Sequence, residues 1–246
     1  EASGHVDSFS DALVDCKACK KRFRVDHLIE SATGLDVEGK TLDEMQVIIE
    51  KEDIKCPECK KKDFTPPRQF NLMFQTQLSK TNSEGKEQGA YLRPETAQAI
   101  FADFKNVVDT MRVKIPFGIA QIGKAFRNEI TPGNFIFRVI EFEQMEIEYF
   151  IEEDQWEETF ENWLKEMKDW CSLIGLSPEH VHEDEHEQEK LSHYSKRTVD
   201  LTYDFPFGRG ELYGLAYRTN FDLTRHELFS KQKLQAMDSN QKRFVP

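Results

Sequence analysis

Residues Gly118 to Phe150 read GIAQIGKAFRNEITPGNFIFRVIEFEQMEIEYF, and this stretch decides how the chain is understood. Its alternation predicts a strand, a turn at Thr131-Pro132-Gly133-Asn134, and a second strand returning antiparallel. Strand side chains repeat every two residues on one face. Regular pairing would then put Arg127 and Glu129 on one face of the first strand. The same parity would gather Arg138, Phe142, Gln144 and Glu146 on the second, with Ile140 between them. Two guanidinium groups, carboxylates and a ring on one sheet face are costly to bury without partners. Two readings are open: a face that binds a ligand bearing phosphate and ammonium groups, or an exposed face of compensating salt bridges.

Outward from that hairpin, composition narrows the choice. A hydrophobic share of 38% with 19 Phe, in 246 residues, predicts a folded soluble protein of sizeable core despite 32% charged residues. No apolar run approaches the roughly 20 residues of a membrane span, and no secretory signal opens the chain. The expected compartment is the cytoplasm. Net charge is −12, which argues against a general nucleic-acid coat while leaving room for a local basic patch. Acidic residues concentrate in 152–161 and 183–189, read as solvated helix faces. The first residues, Glu1-Ala2-Ser3-Gly4-His5, lack Met, the expectation being a fragment or a processed or trimmed form.

Five cysteines fall as Cys16-Lys-Ala-Cys19, Cys56-Pro-Glu-Cys59 and the lone Cys171. Paired knuckles with an odd total indicate a reducing compartment and a metal rather than disulfides. Two CxxC turns complete a tetrahedral S₄ site suited to structural Zn²⁺. The flanking Lys17, Lys20, Lys21, Lys55 and Lys60 to Lys62 favour thiolate and offset the charge of a ZnS₄ centre. A degenerate ribbon without metal is the alternative. Between the pairs, Leu42, Met45 and Ile48 or Ile49 mark a helix over 41–50, so 16–68 reads as an inserted subdomain.

Beyond Thr65-Pro66-Pro67, residues 70–74 alternate as a strand, 79–89 form a polar loop, and 90–92 resume a strand. Arg93 and Glu95 then sit at a strand-to-helix junction, before an amphipathic helix carrying Ala97, Ile100, Phe101, Phe104, Val107, Val108 and Met111. Trp156, Phe160, Trp163, Leu164, Met167, Trp170 and Ile174 repeat at helical spacing and read as core. His180, His182 and His186 lack metal-ligand spacing and read as surface residues. Strands are expected over 198–205 and 211–218. Glu211 and Arg218 differ in parity there, so one of them needs a strand end or a bulge to share a site with the other. A short helix over 222–230 follows, and 243–246 looks like the entry to a further strand.

These residues are specific enough to identify a family. The chain resembles glycyl-tRNA synthetase of the dimeric, class II type. The resemblance lies in ASGH at Ala2–His5, FSD at Phe9–Asp11, the CxxC pairs, FNLMF at Phe70–Phe74 and YLRPETAQ at Tyr91–Gln98. It continues through the hairpin, LSHYS at Leu191–Ser195, and GEL and RTNFDL between Gly210 and Leu223. It implies an α+β fold: an antiparallel β-sheet flanked by helices, the class II aminoacyl-tRNA synthetase catalytic core, with a small zinc-ribbon-like insertion. Residues 1–15 would end the first class II motif region, 16–68 would be the insertion, and 69–246 the core, cut before the third motif. The anticodon-binding domain would lie outside this stretch, and the fragment alone is expected to be inactive.

The resemblance also implies roles. Arg127 would hold the α-phosphate of ATP and the glycine carboxylate, with Arg218 a further catalytic arginine. Glu129 would face the adenine amino group, Phe142 would stack on adenine, and Arg138 would reach the phosphate tail. Glu95 and Glu146 would hold the glycine ammonium, and Glu211 would lie by the phosphates and Mg²⁺. The implied activity is ATP-dependent activation of glycine, release of pyrophosphate and transfer to the 3′ end of tRNA(Gly), by a homodimer. Two positions depart from the family: Ile140 stands where Arg is usual, and Arg209 where Trp is frequent. The competing readings are a noncatalytic synthetase-like module that contacts RNA or protein, and a class II ligase for another amino acid.

Overall fold

The computed structural model describes residues 2–37, 39–81, 87–237 and 243–244. The chain divides into two compact units, one built from 3–96 with 122–144, the other from 97–121 with 145–246.

In the first unit, a short helix α1 (His5–Ser8) leads into β1 (Ser10–Asp15), followed by β2 (Arg22–Arg24), α2 (Val25–Thr33), α3 (Leu42–Lys51) and β3 (Arg68–Asn71). The sheet order is β2-β1-β3, with Leu13 opposite Arg24 on one side and Arg68 on the other, both pairings antiparallel. The segment from 16 to 67 thus leaves and returns side by side. Its core is Val14, Val25, Leu28, Ile29, Val37, Met45, Ile49 and Ile54. Helix α3 starts where Thr41 accepts from the Glu44 N–H while Glu44 accepts from the Thr41 N–H, a reciprocal cap worth about 1 kcal/mol.

The strand expected over 70–74 stops at Asn71, whose side-chain oxygen accepts from the Met73 N–H at 2.8 Å and turns the chain. Beyond the turn come β4 (Gln75–Thr81) and β5 (Glu87–Tyr91), paired antiparallel with Gln75 opposite Tyr91. The loop expected over 79–89 is therefore shorter at both ends, because cross-strand pairing carries polar residues into the ladder; residues 82–86 of that expectation lie outside the described ones.

The hairpin consists of β6 (Phe117–Phe126) and β7 (Glu141–Phe150), which pair in a two-stranded sheet. Gly118 lies against Glu148 at one end, and the Arg127 N–H donates to the Ile140 carbonyl at the other. Chain directions are thus antiparallel. Regular pairing does not continue to the turn, however. Arg127, Glu129, Arg138 and Ile140 all lie between the strands, in a loop whose base is the Arg127–Ile140 hydrogen bond and whose tip is closed by reciprocal hydrogen bonds between Gly133 and Arg138. The tip is Asn134-Phe135, both with positive φ, rather than Thr131 to Asn134. Pro132 has no N–H to give a ladder. Parity holds inside β7, where Phe142, Gln144, Glu146 and Glu148 alternate with more exposed neighbours.

In the second unit, α4 (Ala97–Met111) buries Ala97, Ile100, Phe101 and Phe104. Phe104 and Phe150 meet with ring centroids 4.7 Å apart, in a cluster completed by Leu223, Leu234 and Ala236. Helix α5 (Trp156–Leu173) packs Phe160, Leu164 and Cys171 with Val199 and Leu201. The apolar stripe read from the sequence leaves this core at its end, where Trp170 and Ile174 are nearly half exposed. The next strands are β8 (Val181–Glu185), β9 (Arg197–Phe205) and β10 (Gly208–Tyr217), in the antiparallel order β10-β9-β8. Residues 183–185, expected on a helix face, are strand residues because β9 offers them a ladder. After α6 (Phe221–Ser230), β11 (Ala236–Met237) pairs with β12 (Arg243–Phe244). No helix among the described residues is long and apolar enough to cross a membrane.

Candidate active site

Arg127 follows β6 directly and is fixed from several sides. Its backbone forms an isolated bridge with Met73, and its Nε donates to the Pro94 carbonyl at 3.0 Å. The guanidinium lies over two rings, 5.4 Å from the Phe142 centroid and 5.6 Å from that of Phe9. Both distances suit cation–π attraction. With Nε bonded and two rings within cation–π distance, the terminal nitrogens are left as a fork suited to carboxylate or phosphate oxygens.

Arg93 shows how closely this unit is packed. Its Nε donates to the Lys124 carbonyl at 2.6 Å, and its Nη2 occupies the space that a Cβ at Gly123 would take. A larger residue at 123 would have to displace the end of the Arg93 side chain. Nearby in sequence, Glu95 is 3.4 Å from His5 Nε2, with both side chains largely buried, and His5 Nδ1 lies 2.7 Å from Ser3 Oγ. Glu129 and Arg138 pair with each other at 3.3 Å. A ligand using both would replace that ion pair with its own amine and phosphate.

The remaining member of this face is Gln144, whose Oε1 is buried with no hydrogen-bond partner among the described residues. An unsatisfied buried acceptor costs about 1–3 kcal/mol, and a ligand donor would relieve it. Sequence reasoning gave no role to Phe9, His5 or the pair Asp11–Arg24, joined at 3.0 Å. Burial, with Glu129 among the nearby charges, raises the Asp11 carboxyl even against Arg24. The only signal was that ASGH and FSD were motifs without assigned roles.

In the second unit the parity problem of Glu211 and Arg218 is resolved twice over. The β9–β10 register shifts between Glu211 and Tyr213, so Glu211, Gly214 and Ala216 sit opposite Thr202, Asp200 and Thr198, on one face. Arg218 lies just past the strand end. A Cβ at Gly214 would stand 3.2 Å from Asp200 Oδ1 and 3.5 Å from Glu211 Oε1, so both carboxylates crowd that glycine. Arg218 Nε donates to Asp222 Oδ2 at 2.8 Å, and its guanidinium lies 3.9 Å from the Tyr194 centroid. Burial opposes its charge, but Asp222 outweighs that and holds the pKa above the usual arginine value. Glu146 lies on β7, on the parity of Phe142 and Gln144.

The three histidines expected at the surface are ordered by carboxylates. His182 lies 2.9 Å and His180 3.5 Å from Asp204, and His186 lies 2.9 Å from Asp200. Arg209 also meets Asp204, at 3.4 Å.

Cys16, Cys19, Cys56 and Cys59 form the one candidate metal group among the described residues, with all four Sγ atoms within 4.8 Å of one another. The two knuckles repeat one geometry: Lys20 N–H donates to Cys16 O and Lys60 N–H to Cys56 O, and both lysines have positive φ. Sγ separations are 3.5 Å for Cys16–Cys59 and 3.7 Å for Cys19–Cys56. Four Zn–S bonds of about 2.3 Å at tetrahedral angles require edges of about 3.8 Å. The donor set therefore fits zinc. Burial raises the Cys16 thiol, yet the N–H groups of Cys19 and Ala18 bring it down to about 7.

Residues 74–243 match the family model described as the tRNA synthetase class II core domain (G, H, P, S and T). The chain is 52% identical over 255 residues to a glycine–tRNA ligase of Geobacillus kaustophilus, covering all of this chain and 54% of that protein. It is 51% identical to the glycine–tRNA ligase of Geobacillus thermodenitrificans, again over all of this chain and 54% of the relative. A third relative, the glycine–tRNA ligase of Ureaplasma urealyticum, is 50% identical over all of this chain and 52% of its own length. The chain thus spans about half the length of the curated relatives it matches.

Proposed function

The chain belongs to the class II tRNA synthetase core-domain family, and from that premise we propose that it is the catalytic core of a glycine–tRNA ligase. The observation that carries the reading is Arg127, anchored through Nε and lying within cation–π distance of both Phe9 and Phe142, with its terminal nitrogens left as a fork. The names of the relatives support glycine as the amino acid.

In this reading the glycine carboxylate attacks the α-phosphorus of ATP in line and pyrophosphate leaves. Such a reaction depends on positioning and on neutralising oxygens more than on proton transfer. Arg127 takes the α-phosphate and the glycine carboxylate, and Arg138 takes the phosphate tail once Glu129 turns to the adenine amino group. Phe142 stacks on adenine. Glu95 and Glu146 take the glycine ammonium, Glu211 faces the phosphates, and Arg218 supplies a further cation. Mg²⁺, when bound beside Glu211, would neutralise phosphate oxygens. Glycine has no side chain to grip, so recognition rests on the ammonium and on crowding that excludes a methyl group.

Zinc in the Cys16, Cys19, Cys56 and Cys59 site is structural in this account, since four protein ligands leave no open position. Transfer to tRNA(Gly), a homodimer and a cytoplasmic location complete the proposal. The test is exchange of pyrophosphate into ATP by the full-length protein. Glycine should support it and alanine and serine should not. Exchange driven by serine or alanine would remove the glycine assignment, and no exchange with any amino acid would favour the noncatalytic module.

A further inference from the structure

We infer that Gln98, Asp222 and His226 form a hydrogen-bonded chain of fixed polarity that positions the Arg218 guanidinium, which makes Gln98 and Asp222 positioning residues for the reaction proposed above. The inference rests on that reading. Three elements meet in it: α4 supplies Gln98, α6 supplies Asp222 and His226, and the segment after β10 supplies Arg218.

Asp222 is 2% exposed, so its carboxylate needs partners on both oxygens. Arg218 Nε occupies Oδ2 at 2.8 Å, and Gln98 Nε2 donates to Oδ1 at 3.1 Å. A carboxylate accepts only, so the Gln98 amide must turn its NH₂ toward Asp222 and its oxygen the other way. That oxygen lies 2.8 Å from His226 Nε2. An amide oxygen cannot donate, so His226 carries its proton on Nε2. Each of these three bonds then has a single direction, from His226 to Gln98, from Gln98 to Asp222, and from Arg218 to Asp222, so that two donors converge on the carboxylate.

An ion pair alone would leave the Asp222 carboxylate free to rotate about its Cβ–Cγ bond and swing Arg218 with it. The Gln98 bond fixes that rotation. The guanidinium is further confined by the rings of Tyr194 at 3.9 Å and Phe101 at 5.6 Å. Anchoring through Nε leaves the two terminal nitrogens with no hydrogen-bond partner among the described residues. They are the end presented to an anion. Gln98 touches no reacting group in this scheme and acts only through Asp222.

The experiment compares kcat and KM for glycine-dependent pyrophosphate exchange in full-length wild type, Gln98→Leu, Arg218→Ala and the double variant, with Tm recorded for each. Gln98→Leu is expected to lower kcat by about 10- to 100-fold, with KM for glycine and ATP within about threefold. In the Arg218→Ala background the same change should cost less than about twofold more, because the relay then has nothing to position. Gln98→Glu, nearly isosteric, sets a second carboxylate against Asp222 and serves where Gln98→Leu folds poorly; it should lose at least as much kcat. Unchanged kcat in the folded variants, a loss confined to KM, or losses that multiply in the double variant would each overturn the positioning role alone. A wild type that exchanges pyrophosphate with no amino acid would overturn the ligase reading and this inference with it.

Discussion

Arg127 and Ile140 are joined by a backbone hydrogen bond of 2.9 Å, and they define what single residues contribute here. Arg127 stood out in the sequence by the charged and aromatic company it keeps. Its partners Phe9 and Pro94 did not, because no periodicity links residues so far apart along a chain. Ile140 was read as part of a binding face by strand parity, but it precedes β7 and parity does not orient it. It is 38% exposed, an apolar side chain where the resemblance to the family leads one to expect Arg. Ile140→Arg is expected to lower KM for ATP about three- to tenfold, the worth of one added charge-assisted hydrogen bond of about 1 kcal/mol. Steady-state exchange at varied ATP checks this, and an unchanged KM would show that position 140 does not face the phosphates.

Among the elements, β7, α4, α5, β9 and β10 were legible because long, strongly periodic segments report their own type. The hairpin loop, β8 and the β9–β10 bulge were not. Each is set by a partner strand, and a register shift between Glu211 and Tyr213 leaves no local mark in the sequence. Helix α6 carries a pH dependence that follows from its packing. Burial lowers the His226 pKa below the ordinary 6.5, outweighing the opposite pull of Asp222. The unfolded chain therefore takes the proton first, so the contribution of this group is present above pH 6.5 and is lost as pH falls toward the folded value. Thermal unfolding between pH 7.5 and 5 should show Tm falling on the acid side, with a shallower slope in His226→Gln. An equal slope in both proteins would remove His226 from the account.

At the scale of the whole molecule, the two units and the segment carrying the cysteines were only partly legible. CxxC spacing named the four cysteines whose sulfurs the fold gathers, whereas the division at 96/97, 121/122 and 144/145 depends on contacts no local pattern encodes. Native mass measurement is expected to find one zinc per chain. Cys56→Ser should lose that zinc and the hydrogen-exchange protection of residues 16–64, since structural zinc contributes on the order of 10 kcal/mol to such small folds. Retained protection without zinc would mark the ribbon as self-sufficient. The central claim is that the Arg127 fork activates glycine with ATP, and pyrophosphate exchange by the full-length protein tests it most directly. Wild type should exchange with glycine, and Arg127→Ala should lose about 10³-fold in kcat/KM, near 4 kcal/mol of transition-state stabilisation, while keeping its Tm within a few degrees. Exchange by Arg127→Ala at the wild-type rate would contradict it.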